Sequence, residues 1–108
     1  MKPSIAWIIL IVAGFFETSW AIGMKYSEGF TRLWPSVFTA ATMLISVVLL
    51  ALSLKVLPVG TAYAVWTGIG AVGTVLLGIK LFNEPFDLLR LFFIFLIIVG
   101  IGGLRLLK

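Results

Sequence analysis

Apolar and polar positions fall along this chain in long blocks, not at the short periods of an amphipathic helix or strand. Four apolar blocks, at about 4–24, 34–54, 58–80 and 87–107, are separated by the breaks KYSEGFTRLWPS, KVLP and NEPFD. Gly29, Pro35, Pro58 and Pro85 punctuate those breaks. Each block has about the 20 residues that a helix rising about 1.5 Å per residue needs to cross a hydrocarbon core of about 30 Å. Lipid offers an unpaired peptide group no partner, so each block is predicted to be a helix. The expected architecture is all-α: one domain over residues 1–108, made of four short-looped transmembrane helices. The first block is too long for a cleavable leader, and no A-x-A-like site follows it.

Composition agrees. Hydrophobic residues make up 62% of the chain and charged residues 11%, against roughly half and a quarter in globular proteins. There is no cysteine and no histidine. Disulfides, thiolate metal sites and imidazole chemistry are excluded, an enzyme is a poor fit, and no cofactor is expected. The net charge of +4 comes from singly scattered basic residues, not from the basic stripe that nucleic acid requires.

The basic residues are evenly divided between the two ends of the bundle. Lys2, Lys55, Arg105 and Lys108 fall on one side, and Lys25, Arg32, Lys80 and Arg90 on the other. Orientation normally follows an imbalance of such charges. Here there is none, which implies insertion in both directions. Four helices hardly enclose a polar cavity that opens alternately to both sides, and many transporters solve this with inverted repeats. The sequence shows no internal repeat, so two copies in opposite orientations would supply one. An antiparallel, dual-topology homodimer is expected.

One residue breaks the apolar pattern. Glu17 lies near the middle of the first block, whereas Glu28, Glu84 and Asp87 fall in loops or at helix ends. A charge at that depth costs about 2.5–3.5 kcal/mol on insertion scales. A protonated carboxyl bonded to a neighbouring helix would be the bland explanation; the functional one is a proton or cation site. A proton and a cation that cannot share one carboxylate are coupled by competition alone.

Gly14, Glu17 and Trp20 form one helical stripe, in which Gly14 leaves room beside the acid and Trp20 walls it. Tyr63 and Trp66, with Gly70 beyond them, form a second stripe in the third block, and Ser46 lies mid-way along the second. Trp7 and Trp34 occupy the depths of interfacial belts, so Trp20 and Trp66 are better placed in a cavity. Gly68, Gly70 and Gly73 allow a bend, close packing, or both. In the last block no polar residue occurs between Arg90 and Arg105, and Gly100, Gly102 and Gly103 admit another helix. That block is expected to serve packing and dimerisation.

The segments FETSWAIGMKYSEGFTRLWPS and LPVGTAYAVWTGIGAVGTVLLGI resemble the small multidrug resistance family, and within it the guanidinium exporter subtype, over essentially the whole length. The resemblance implies an antiparallel homodimer in a prokaryotic inner membrane that exchanges an organic cation for protons. Glu17 would be the family's membrane-embedded glutamate, and Trp20 the tryptophan that marks the subtype. Ser46, Tyr63 and Trp66 would bond to or shape the glutamates, with Gly14 as the small residue beside them. The third-block glycines would be the bending region, and the last block, with Gly100 and Gly103, the dimerisation helix. Two positions depart from the subtype: Thr18-Ser19 stands where two aliphatic residues are usual, and Arg105 where lysine is usual. The implied partners are guanidinium or a related small cation, protons, the bilayer and a second copy. The alternatives are a broader quaternary ammonium exporter and, from another class, a small pore or helper protein.

Overall fold

A computed structural model describes residues 1–107 and contains four helices: α1 Pro3–Tyr26, α2 Leu33–Ser53, α3 Val59–Phe82 and α4 Leu88–Leu107. All four are long and apolar enough to cross a membrane. Lys108, counted above with the basic residues, lies outside the described residues. Proline sets several helix starts, where a missing N–H is harmless. Pro3 opens α1, Pro58 caps α3, and Pro35 stands in the first turn of α2.

The turns are built from local hydrogen bonds. Ser27, fully buried, donates its hydroxyl to the Met24 carbonyl (2.6 Å) and accepts from the Phe30 N–H (3.1 Å). That closes a tight loop in which Glu28, Gly29 and Phe30 all take positive φ. Helix α3 ends at Asn83 in the left-handed conformation, a form tolerated by asparagine.

Helix α1 packs against both α2 and α3, while α2 and α3 barely touch and α4 lies along α3. The core is Ala6, Trp7, Leu10 and Ala13 of α1 with Leu57, Ala62, Val65 and Trp66. Trp7 is therefore not a belt residue: it is 5% exposed, whereas Trp34 is 76% exposed. On α4 only Ile94 is buried. The backbone fills a slab of 40 × 34 × 17 Å. Its thin dimension is about that of two packed helices, whose axes lie about 8–10 Å apart with Cα atoms about 2.3 Å from each axis.

Helix α3 runs unbroken through its glycines, which here serve close approach. A Cβ at Gly68 would meet Ile97 and Ile101 of α4; at Gly70, the Glu17 side chain; and at Gly73, Thr18. Gly14 also admits a neighbour. The space beside it is filled by Ile69 of α3, 2.7 Å from where a Cβ would stand, and so is not left open beside the acid.

Gly14→Ala should therefore push α1 away from α3 and lower the unfolding free energy by about 1–3 kcal/mol, as overpacking does. At Gly60, where a Cβ meets nothing, the same change should leave stability unchanged or slightly raised. Unfolding of both variants in detergent micelles checks the contrast.

Candidate functional site

Glu17 lies past the midpoint of α1 and is half-buried. The Trp20 indole N–H donates to Glu17 Oε1 at 2.8 Å, one turn along the same helix. The carboxylate stem rests over Gly70 of α3. Among the described residues no lysine or arginine pairs with this acid: both ion pairs, Lys25–Glu84 at 3.8 Å and Arg32–Glu28 at 3.7 Å, involve loop residues. No second donor from the described residues reaches the Glu17 carboxylate.

A second cluster lies beside it. The Ser46 hydroxyl, fully buried on α2, donates to the Ala13 carbonyl of α1 at 2.8 Å. It accepts the Trp66 indole N–H from α3, also at 2.8 Å. One serine thus joins three helices, and its bond to α1 falls one turn before Glu17. The Tyr63 ring lies 5.7 Å from that of Trp66, tilted by 49°, and Tyr63 remains 57% exposed. The sequence-predicted residues therefore form two groups within one chain. Glu17, Trp20 and Gly70 meet at the acid; Ser46, Tyr63 and Trp66 meet beside it and make no hydrogen bond to it. Gly100 and Gly103 lie outside both, and a Cβ at either would meet nothing.

A threonine inside a helix can back-bond to its own helix or find a partner on another, and Thr18 is placed for either. It does both. Its buried hydroxyl lies 3.4 Å from the Gly14 carbonyl and 3.3 Å from the Gly70 carbonyl across the helix interface. Ser19 only back-bonds, to Phe15 at 3.0 Å. Consecutive residues of α1, Glu17 and Thr18, thus seat on Gly70 and Gly73, one turn apart on α3. A hydroxyl next to the acid was the available signal; which helix it would face was not readable without the packing.

Similar proteins add to this geometry. The family model described as Small Multidrug Resistance protein matches residues 5–97. A protein of Yersinia pseudotuberculosis named "Guanidinium exporter" is 59% identical over 101 residues, covering 94% of this chain and 97% of its own length. Proteins of the same name from Escherichia coli K12 and Citrobacter freundii are 55% and 54% identical over the same length, covering 94% of this chain and 96% of their own.

Ser46→Ala should leave the buried Trp66 N–H without an acceptor and cost about 1–3 kcal/mol. Thr18→Val, which keeps the shape and loses a long cross-helix bond, should cost only about 0.6 kcal/mol, the mean for such bonds in a membrane protein. Unfolding titrations of the two variants in parallel would reveal the order.

Proposed function

This chain belongs to the small multidrug resistance family and is a multi-pass membrane transporter, not an enzyme, and we propose that it exports guanidinium and small substituted guanidinium cations in exchange for protons. The observation that carries the proposal is Glu17: a carboxylate deep in a membrane helix, oriented by Trp20, with no cationic partner among the described residues. Relatives more than half identical over nearly their whole length bear the name of guanidinium exporters.

The proposed mechanism is competition at this carboxylate. Trp20 holds Oε1, so Oε2 is available to a proton or a substrate. Burial in low dielectric makes a bare carboxylate costly, so one of the two occupies the site at a time. Guanidinium is planar, permanently charged and carries a fork of N–H donors that matches carboxylate geometry. Its entry displaces the proton, which leaves to water on the side to which the site is open. Reorientation followed by reprotonation from the other side drives the cation out. A site built on hydrogen bonds also rejects cations without N–H donors, because its polar groups would stay unpaired.

The proposal includes a second, antiparallel copy. Glu17 is only half-buried in one chain, and Tyr63 and the glycine-bearing face of α4 have no cover there. A partner inserted the other way up would bring two Glu17 side chains to one cavity. Ser46 and Trp66 would brace its wall, Tyr63 would face the cation, and Gly100 and Gly103 would seat the partner's helix. The α3 glycines would let that helix bend between the two orientations of the site.

In vesicles with a pH gradient, the protein should accumulate guanidinium on the acidic side, and Glu17→Gln should reduce this to background. Protonation excludes the cation. Under symmetric conditions the apparent KM for guanidinium should therefore rise as pH falls, by up to about tenfold per pH unit for each proton displaced. If native protein moves a quaternary ammonium ion but not guanidinium, the broader exporter reading replaces this one. Gly100→Leu should lower the dimer fraction measured by light scattering in detergent; an unchanged fraction would count against α4 as the interface.

A further inference from the structure

The even division of lysine and arginine conceals an uneven division of charge. All three loop acids, Glu28, Glu84 and Asp87, lie at the end formed by the α1–α2 and α3–α4 loops. There two of them pair with basic residues, Glu84 with Lys25 and Glu28 with Arg32, while Asp87 caps α4 by accepting the Arg90 backbone N–H at 2.7 Å. The opposite end carries Lys2, Lys55 and Arg105 and no acid.

At that basic end the structure has a cavity of about 280 Å³ lined by Pro3, Trp7, Val56, Leu57, Pro58 and Arg105. It joins the first turn of α1, the α2–α3 loop and the last turn of α4. The Arg105 guanidinium stands over the buried Trp7 ring, 5.1 Å from its centroid. Arg105 makes no salt bridge or hydrogen bond among the described residues. Stacking on the indole fixes the guanidinium without using its N–H donors. Lysine, a compact ammonium, would not reproduce that arrangement.

We propose that this cavity binds the phosphate headgroup of an anionic phospholipid, one per subunit, with Arg105 as the principal contact. Its depth favours a lipid over a soluble anion. Arg105 and Pro3 are in terminal turns of membrane helices, where the headgroup layer begins, and the neighbouring Leu106 and Leu107 are 85% and 82% exposed. Lys2 and Lys55 add long-range attraction to an anionic surface. In the antiparallel dimer proposed above, the two sites lie in opposite leaflets. The count per subunit does not depend on that reading.

The test is native mass spectrometry of the full chain released from mild detergent containing equal phosphatidylglycerol and phosphatidylcholine. One phosphatidylglycerol per subunit should be retained preferentially. Arg105→Gln should reduce that retention by at least about fivefold, the scale of one basic side chain at an anionic surface. Arg105→Lys should give an intermediate loss, and Arg32→Gln, at an arginine already paired with Glu28, should change nothing. Equal retention of both lipids, or equal loss in Arg32→Gln, would overturn the proposal. So would an unchanged lipid count in Arg105→Gln accompanied by a lower dimer fraction, which would assign the cavity to acids of a second copy. The readout needs no transport, so its failure is distinct from failure of the exporter reading.

Discussion

The contact between α1 and α3 is the one on which the site depends. In lipid there is little hydrophobic drive to bring helices together, so association rests on packing and on interhelical hydrogen bonds. Here small residues on both helices permit the approach. Gly14 receives Ile69, while Gly70 and Gly73 receive Glu17 and Thr18. The acid is thereby seated on a neighbouring helix through its stem, and its polar head is left to Trp20. A bulkier α3 would hold α1 away and leave the glutamate as an unsupported side chain facing lipid.

That contact leaves other faces open. Helix α1 has a neighbour on two sides and α4 only one. The buried polar groups are satisfied within the chain: among the described residues, no buried side-chain nitrogen or oxygen lacks a partner. Beside many outward-facing apolar side chains, the uncovered groups include Tyr63, the open side of Glu17 and the glycines of α4. These are residues the proposed transport reading needs, and in the proposed dimer a second copy would cover them.

Much of this was legible in the sequence because a bilayer simplifies the physics. Blocks of 20 apolar residues have one available structure, so four helices follow from length alone. Glu17 was legible because it is the lone acid at depth. The distribution of small residues was harder. Glycine signals that something comes close, but not what: Gly14 was expected beside the acid and instead receives Ile69, and the α3 glycines, open to bending or packing, are packed in this conformation. Trp7 was placed in an interfacial belt by its depth, yet it is turned inward beneath Arg105. Depth along a helix is readable from a hydropathy pattern. The direction a side chain faces is set by neighbours distant in sequence, and four nearly uniformly apolar helices give little periodicity to reveal it.

The absence of a fixed countercharge beside Glu17, among the described residues, bears on why such a site would suit exchange. A buried carboxylate held by lysine or arginine is stable only as a pair, and removing either partner leaves a costly bare charge. A cation arriving at such a pair would have to displace a tethered competitor with a very high local concentration. A single indole N–H does less. It orients one oxygen and offsets part of the desolvation, but leaves the charge unbalanced. The remaining deficit can be met by a proton or by a cation, either of which can leave. The loop acids show the contrast within the same chain, since Glu84 and Glu28 have basic partners. Pairing at the loops and its absence at depth, among the described residues, set Glu17 apart from Glu28 and Glu84, as the proposed exchange requires.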